Sequence, residues 1–367
     1  MINAEDIIRR QLDAAEKTDI VLDDGSTVTL TPARLAPQLA DDDMKLCLNG
    51  SWRVARWPFD VDEAELAAPD RDDASWQVVE QPGPVFYADP EESPAAVEKW
   101  NRVTLEHVHP EDGAVIRRQV PIPEAWRGKR IFLRFDAVYP AARFYCNGYC
   151  LGEHLSGLTP AEWDVTDVVT PGEQALVAAR LLRKHEYVQM DMPRHAMEFT
   201  GISQDAYFHA AEQCRISDYH LITELDESYR NGSIHGEVSL CNDSDVARRC
   251  VLTASLADGA GDEIAQCRRE TELAPGGRQV VDVHLEAGDL ALWNDEFPNL
   301  YDVGLALDAS DQPRRTVSYR TGFRRFELKD QRPTLNGNPV KFRGVNHLTH
   351  HLQGGMHTPK NLSLIHI

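Results

Sequence analysis

Residues 292–301 read Leu292-Trp293-Asn294-Asp295-Glu296-Phe297-Pro298-Asn299-Leu300-Tyr301. This stretch concentrates large apolar side chains in a short run. We expect these side chains to pack in the core of a β-sandwich. Pro298 has a restricted φ and is expected to fix a turn there. The stretch is interpreted as structural, and no ligand is assigned to it.

The sequence on both sides of this stretch is strand-like. Between residues 215 and 326 four apolar runs recur with polar turns between them: Val238-Ser239-Leu240, Cys250-Val251-Leu252-Thr253-Ala254, Val280-Val281-Asp282-Val283 and Val303-Gly304-Leu305-Ala306-Leu307. About seven short strands in about 110 residues are typical of an immunoglobulin-like sandwich. We therefore predict such a domain over residues 215–326.

A second β-rich region precedes it, over residues 46–214. Residues 131–135 and 142–146 are apolar runs joined by Pro, Gly and Asp turns. Helical periodicity over long stretches is missing, so an antiparallel sandwich is expected. Residues 1–45 are interpreted as an extension, with a short helix capped by Asn3 and a hairpin that pairs residues 20–22 with residues 27–30.

The sequence changes character after residue 326. Residues 335–340 predict a tight hairpin that leads into Lys341-Phe342-Arg343-Gly344-Val345-Asn346. That run ends in polar residues and histidines, as strands of a (β/α)₈ barrel do at their functional end. We assign residues 327–360 to the start of a barrel. Residues 361–367 continue no pattern and are interpreted as a non-native tail.

Composition and charge exclude several classes of function. The chain has 38 basic and 59 acidic residues and a net charge of −21, and such a field repels nucleic acid and anionic membranes. No run of eighteen apolar residues is present, so no membrane span is expected. The first residues carry neither a basic n-region nor an apolar h-region, and we expect a cytoplasmic protein.

The seven cysteines show no framework spacing. Cys146 and Cys150 flank an Asn147-Gly148 turn, which pairs Cys146 with Tyr149 and Tyr145 with Cys150 in a two-residue hairpin. Because side chains alternate along a strand, the two thiols should point to opposite faces. Reduced cysteines in a reducing compartment are therefore expected.

Three stretches, in this order, resemble glycoside hydrolase family 2, which contains β-galactosidases, β-glucuronidases and β-mannosidases. The first comprises Leu48-Asn49-Gly50-Ser51-Trp52, residues 120–130, Asn147-Gly148, Gly152, Gly157, Pro160 and Asp164-Val165-Thr166. The second is residues 292–301. The third is residues 321–327 followed by residues 343–347. The resemblance implies a mainly β chain: a jelly-roll sugar-binding β-sandwich, an immunoglobulin-like β-sandwich, and the first strand of a truncated TIM barrel.

The resemblance also implies sugar-binding residues. Asn346, His347 and His350 lie at the end of the expected barrel strand, where side chains reach the pocket. The β-galactosidase branch carries His-Glu-His two residues after the Asn, whereas this chain has Leu348-Thr349-His350. Residues 201–205 resemble a Gly-Ile-x-Arg-Asp segment, with Gln in place of Arg. An acidic residue upstream of that segment contacts the sugar in that branch; Asp191 is the candidate and Glu198 competes with it.

The catalytic residues are expected to be missing. The family resemblance implies a retaining mechanism with two glutamates about 5 Å apart on a barrel. Such a barrel needs about 250 residues, whereas 27 residues follow Val340 and none of them is Glu or Asp. No catalytic residue is therefore assigned in this chain, which is expected to be inactive by itself.

Four histidines near the end, His347, His350, His351 and His357, match no helical zinc motif. No metal and no cofactor is therefore predicted. The leading interpretation is the amino-terminal portion of an exo-glycosidase that prefers β-galactosides, with β-glucuronides open; its partner is a carbohydrate substrate, and the intact protein can form a homo-oligomer.

Two alternatives remain. One is a non-catalytic carbohydrate-binding module that uses exposed Trp and Tyr faces, and the other is an adhesion or scaffold protein built of sandwiches. The barrel-entry run at residues 343–346 argues against a binding module, which has no use for it.

Overall fold

The computed structural model describes residues 18–21, 27–30, 44–56, 62–85, 113–182 and 200–345. The described chain falls into two compact units, which meet between Ala210 and Ala211 in the sequence. Strands β1 (Thr18–Val21) and β2 (Thr27–Leu30) form the antiparallel hairpin predicted near the amino terminus. The helix expected at its start lies outside the described residues. No described helix is both long enough and apolar enough to cross a membrane.

Besides that hairpin, the described part of the first unit contains twelve strands and one short α-helix. They are β3 (Lys45–Cys47), β4 (Gly50–Arg56), α1 (Glu63–Ala67), β5 (Gln77–Gln81), β6 (Gly113–Pro121), β7 (Arg130–Phe135), β8 (Val138–Tyr139), β9 (Ala141–Cys146), β10 (Tyr149–His154), β11 (Ala161–Asp164), β12 (Gln174–Leu182), β13 (Gly201–Ile202) and β14 (Ala206–Ala211). A six-stranded sheet has the order β10-β9-β12-β6-β4-β5, and a four-stranded sheet has the order β11-β7-β14-β3. β8 and β13 form a separate pair.

The two sheets enclose one core of aromatic and aliphatic side chains. Phe144 from the six-stranded sheet lies between Phe135 and Trp163 from the four-stranded sheet, with ring centroids 4.6 Å apart in both contacts. Trp52 and Phe208 are buried in the same core. Side chains that alternate along each strand supply this inner face, which is why the sheets pack as a sandwich.

The six-stranded sheet is also covered on its outer face. β12 is buried along nearly its whole length, unlike a strand with one solvated face. Helix α1 packs there, and Ala67 contacts Tyr145 and Ala178. Arg117 is almost fully buried beneath it and donates to the Leu66 carbonyl oxygen over 3.0 Å. This covering explains why a simple polar–apolar alternation is missing from β12.

The turn chemistry predicted for this unit is confirmed. Asn147 and Gly148 have φ values of 49° and 84°, and Cys146 pairs with Tyr149 across them. Cys146 lies in the core, whereas Cys150 packs against the cluster of Tyr145 and Ala178 on the other face. All seven cysteines are free thiols.

The second unit contains a sandwich of seven antiparallel strands. They are β15 (Cys214–Leu225), β16 (Gly232–Asn242), β17 (Arg248–Ala257), β18 (Glu263–Leu273), β19 (Arg278–Ala287), β20 (Tyr301–Ala309) and β21 (Arg315–Thr321). One sheet has the order β15-β16-β19 and the other β18-β17-β20-β21. The predicted number of strands is confirmed, but the strands are longer than expected. Cys250, Leu252, Ala254 and Leu256 are buried at every second position of β17, as a half-buried strand requires.

The prediction that the large apolar residues of 292–301 fill the sandwich core is wrong for most of them. Tyr301 alone is buried, against the edge of Phe323 at 5.2 Å. Leu292 packs partly against the core, and Phe297 and Leu300 are exposed. The stretch folds as a loop closed by a bridge between Trp293 and Pro298, so its side chains do not alternate between two faces.

A three-stranded sheet follows the sandwich: β22 (Phe326–Lys329), β23 (Arg332–Leu335) and β24 (Asn338–Pro339). It confirms the predicted hairpin. Residues 326–339 pair in register within this sheet. Residues 341–345 belong to no strand, and Phe342 and Val345 are exposed. A barrel strand there stays a prediction.

Phe144 offers a test of the first core. Replacing it with Ala removes the ring between Phe135 and Trp163, so we expect F144A to lower the free energy of unfolding by about 3–5 kcal/mol. Tryptophan fluorescence during urea unfolding measures this, because Trp52, Trp126 and Trp163 lie in the same core. The control V78A, at an exposed position, should change stability by less than about 0.5 kcal/mol. Equal effects of both changes would contradict the assignment.

Candidate functional site

The predicted sugar-binding residues Asp191, Asn346, His347 and His350, and the competing Glu198, lie outside the described residues. The structure therefore does not test their roles. It does describe the chain on both sides of residues 183–199, up to Leu182 and again from Thr200. It also describes the chain up to Val345, next to Asn346. The residues that flank these positions are described below, separately for each unit.

Residues 201–205, which resemble a Gly-Ile-x-Arg-Asp segment, are held from several sides. Gly201 and Ile202 pair with Tyr139 and Val138. The backbone N–H of Gly83 donates to the Ile202 carbonyl oxygen over 2.9 Å, and that of Val85 donates to the Thr200 carbonyl oxygen over 2.8 Å. Residues 200–202, which follow residues 183–199, are thus bound both to residues 138–139 and to residues 83–85.

Gly201 is required where it lies by the close approach of a second backbone. A Cβ at this position would lie 2.2 Å from the Gly83 carbonyl oxygen. Gln81 completes the contact, because its buried Oε1 accepts a hydrogen bond from the Ile202 N–H over 2.8 Å. The amide nitrogen of Gln81 donates to the Glu80 carbonyl oxygen over 3.0 Å.

Asp205, at the end of the segment, joins it to the first strands of the unit. The Asn49 amide donates to Asp205 Oδ1 over 2.8 Å, and Asn49 Oδ1 accepts from the Ala206 N–H over 3.1 Å. Trp52 donates from its indole N–H to the Leu48 carbonyl oxygen over 2.8 Å. The first family-like stretch and the Gly-Ile segment, about 150 residues apart, therefore form one structural junction.

The amino-terminal side of residues 183–199 is anchored by a ladder. Leu182, the last residue of β12, pairs with Gly113 on one side and with Ala141 on the other. A Cβ on Gly113 would lie 2.0 Å from the Leu181 carbonyl oxygen. The described residues on the two sides of 183–199 therefore include paired β-structure, with Leu182 in β12 and Gly201 in β13.

The outer face of the four-stranded sheet carries a buried charged cluster that sequence reasoning missed. Arg134 Nε donates to Asp136 Oδ1 over 2.8 Å, and Arg134 Nη1 lies 3.3 Å from Glu162 Oε2. His209 Nε2 lies 3.0 Å from the same Glu162 oxygen. Burial disfavours the charge on Arg134, but the hydrogen bond to Asp136 and the nearby acids outweigh it, so the pKa of Arg134 is raised.

The buried carboxylates of the described residues do not resemble a glycosidase pair. Glu162 is paired with Arg134, and Glu212 with Arg315 over 3.1 Å. A general acid in a retaining glycosidase must hold a proton near neutral pH, which requires an apolar surrounding rather than a guanidinium partner. The two buried glutamates in residues 44–56, 62–85, 113–182 and 200–345 are therefore each paired with an arginine and do not have the surroundings of a general acid.

The chain that leads to Asn346 is anchored through Trp293. Arg324 lies over the Trp293 ring at 4.6 Å, and the Asn336 amide donates to the Trp293 carbonyl oxygen over 3.0 Å. Asn336 Oδ1 also accepts from the Arg325 N–H over 2.9 Å. The second and third family-like stretches are thus bound to each other, which is the role that Trp293 has in place of core packing.

Glu327 anchors the same hairpin to the sandwich. It accepts a hydrogen bond from the Tyr229 hydroxyl and lies 3.2 Å from Arg325 Nε. The hydrogen bond from Tyr229 holds the pKa of Glu327 below its ordinary value, and the charges of Arg325 and Lys329 act in the same direction. Within the described residues, no group of three or more potential ligands could hold a metal ion.

Among the residues that sequence reasoning missed, Asn49 lay inside a recognised motif, but Gln81 and Arg134 gave no signal. Their partners are distant in sequence: Ile202 is 121 residues from Gln81 and Glu162 is 28 residues from Arg134. A polar residue at an apparently solvated strand position does not reveal a partner on another strand.

Gly201 is testable by one added methyl group. We expect G201A to lower stability by about 2–3 kcal/mol, because the new Cβ must displace the Gly83 carbonyl group. The matched control is G259A, whose Cβ would meet its nearest atom at 3.8 Å and should change stability by less than about 1 kcal/mol. Thermal unfolding monitored by circular dichroism measures both, and a neutral G201A would contradict the close packing.

The bond between Asn49 and Asp205 is testable by exchanging charges. N49D places two carboxylates in contact and should cost about 2–3 kcal/mol. The double variant N49D/D205N restores one donor and one acceptor, so we expect it to recover at least half of that loss. Urea unfolding of the parent protein, N49D, D205N and the double variant gives the coupling energy. Strict additivity of the two substitutions would show that the bond is not formed.

Comparison with known protein families supports the architecture. Residues 46–211 match the sugar binding domain of glycosyl hydrolases family 2, and residues 214–324 match a second domain described as glycosyl hydrolases family 2. A curated β-galactosidase of Priestia megaterium is 28% identical over 258 residues, which are 70% of this chain and 24% of the relative. A β-galactosidase of Vibrio cholerae is 28% identical and covers 84% of this chain and 31% of its own.

Solved structures agree at the level of the fold. A β-glucuronidase of Bacteroides uniformis superposes with a TM-score of 0.75 and 20% identity, over 88% of this chain and 37% of its own. A structure described as a putative β-galactosidase from Bacteroides fragilis gives a TM-score of 0.69 at 20% identity, over 87% of this chain and 46% of its own. This chain spans about a quarter to a third of the length of the curated relatives it matches. With both of its β-sandwiches matched in sequence, the chain belongs to glycoside hydrolase family 2.

Proposed function

We propose that this chain is the non-catalytic amino-terminal portion of a retaining exo-glycosidase that hydrolyses O-glycosidic bonds, with β-galactosides preferred and β-glucuronides as the second candidate. The observation that carries the proposal is the match of both β-sandwiches to family 2 domains, in family order, over 46–211 and 214–324. Relatives named β-galactosidase at 28% identity favour the galactoside.

The proposed chemistry belongs to a barrel that follows the two sandwiches. Two carboxyl groups about 5 Å apart would act there, one as acid and base and the other as nucleophile. The buried Glu162 and Glu212 are poor candidates for these roles, because each is neutralised by an arginine. The described sandwiches would contribute support and a substrate contact rather than catalysis.

The proposed substrate contact comes from residues 183–199, with Asp191 preferred over Glu198, and from Asn346, His347 and His350. Support for a role of Asp191 comes from the residues on either side of 183–199. Leu182 pairs with Gly113, and Gly201 pairs with Tyr139. A carboxylate at Asp191 would accept hydrogen bonds from sugar hydroxyls.

The proposal also accounts for exposed apolar side chains on the last hairpin. Phe326 and Phe342 contact each other with ring centroids 5.8 Å apart, yet more than half of each side chain is exposed, and Leu328 is exposed beside Phe326 in the sequence. Such patches are uncommon on free surfaces. We expect the catalytic domain to cover them in the intact protein, which we also propose to be cytoplasmic and able to form a homo-oligomer.

A carbohydrate-binding module is the second candidate function, but the described tryptophans do not favour it. Trp52, Trp126 and Trp163 are buried. Trp76 is half-buried beneath Arg117, and Trp293 beneath Arg324. Sugar-binding modules need an aromatic face open to solvent, on which a pyranose ring can stack. Of the five indoles that the structure describes, three are buried and the other two each have an arginine over one face.

An activity assay tests the proposal directly. The 367-residue chain and a longer polypeptide, obtained by extending the coding sequence past residue 360, are compared on nitrophenyl β-galactoside and β-glucuronide. We expect turnover only by the longer polypeptide, and faster turnover of the galactoside. Turnover by the 367-residue chain would contradict a non-catalytic role, and faster glucuronide turnover would reverse the order of the two substrates.

The role of Asp191 is tested in the longer polypeptide by comparing D191N with the matched control E198Q. Loss of a charged hydrogen bond to the sugar should raise KM about tenfold or more in D191N. We expect E198Q to remain within about twofold of the parent protein. The reverse outcome would assign the sugar contact to Glu198.

A further inference from the structure

Cys214 and Cys250 form a close pair of buried thiols inside the immunoglobulin-like unit. Their sulfur atoms are 3.3 Å apart. Cys214 begins β15 in one sheet, and Cys250 lies near the start of β17 in the other. Only 3% and 1% of these residues are exposed. The two sulfur atoms therefore meet across the interior of the sandwich.

We propose that Cys214 and Cys250 are an oxidative modification site, at which a peroxide converts the two thiols into a disulfide that links the two sheets of the second unit. A disulfide needs a sulfur–sulfur distance of about 2.05 Å. The sulfur atoms must therefore approach by only about 1.2 Å, a movement within the range of small χ1 adjustments.

The surrounding contacts keep the two residues in place. The Cys214 N–H donates to Gln312 Oε1 over 3.1 Å, which fixes the first residue of β15. The Cys250 thiol donates to the Arg248 carbonyl oxygen over 3.7 Å, which leaves its sulfur able to accept from the Cys214 thiol. Both side chains belong to the core of the second unit, so neither has open space in which to turn away.

The chemistry balances with hydrogen peroxide as the oxidant. The sulfur of one cysteine attacks a peroxide oxygen, the O–O bond breaks, and one water leaves with the thiol proton, which gives a sulfenic acid. The second sulfur then attacks the sulfenic sulfur, the S–O bond breaks, and a second water leaves with the second thiol proton. Two thiols are oxidised to one disulfide, and one peroxide is reduced to two waters.

Burial slows the oxidation of the two thiols. Burial raises the pKa of Cys214 to about 12, and it also raises the pKa of Cys250. Because the thiolate is the reacting form, both groups react slowly while the sandwich is closed. A small oxidant reaches them more readily than a bulky disulfide does. Once formed, the link closes a loop of about 36 residues that contains β15 and β16.

The test uses the whole 367-residue chain with and without hydrogen peroxide, followed by removal of the peroxide. Thiols titrated in denaturant should fall by at least two. Peptide mapping should identify Cys214 joined to Cys250, with a mass about 2 Da below the sum of the two reduced peptides. The Tm of the second unit should rise by about 5–15 °C and return after dithiothreitol. These readouts need no variant, so they do not depend on a variant that folds.

Variants then assign the pair. C214S and C250S should each abolish the linked peptide and the rise in Tm, whereas C47S, at an exposed cysteine, should leave both unchanged. The proposal is overturned if the treated chain keeps seven thiols, if the linked peptide contains another pair of cysteines, or if the Cys214–Cys250 link forms without any rise in Tm.

Discussion

The contact between Phe144 and its neighbours Phe135 and Trp163 shows the constraint on which the first unit depends. A β-sheet with one apolar face is stable only when that face is removed from water, and here the second sheet supplies the cover. The rings meet at 4.6 Å from opposite sheets. The second unit repeats the solution with aliphatic residues, among which Leu252 and Leu305 are fully buried.

Amide side chains, two of them buried and two half-buried, satisfy backbone groups where the ladders end. Asn147 accepts from the Leu176 N–H and donates to the Val168 carbonyl oxygen, both over 2.8 Å. Asn242 donates to the carbonyl oxygens of Val246 and Leu273. Gln81 and Asn336 act similarly at the anchors of residues 183–199 and of the last hairpin. An amide suits these places because it offers both donors and acceptors without a charge to desolvate.

The buried carboxylates of the two sandwiches have arginine partners, which suits a structural role. The buried acids Glu162 and Glu212 lie beside arginines and serve packing, since an unpaired charge in such places would be costly. The described chain on either side of residues 183–199 is paired in β-structure, at Leu182 and at Gly201. Phe326, Leu328 and Phe342, which precede Asn346, expose apolar side chains. Each sandwich thus has its own buried core, and exposed apolar side chains lie on the sheet and the chain that follow the second one.

Sequence alone determined the strands at 131–135 and 250–254, the Asn147-Gly148 turn, the opposite directions of Cys146 and Cys150, and the order of the two sandwiches. These follow from side-chain periods and turn chemistry, which are local. Tertiary structure decided that Trp293 lies beneath Arg324 instead of in the core, that residues 327–339 form an anchored sheet, and that Cys214 meets Cys250. Each of these depends on which distant strand lies opposite, and strand pairing is set by burial of the whole core, which no local pattern contains.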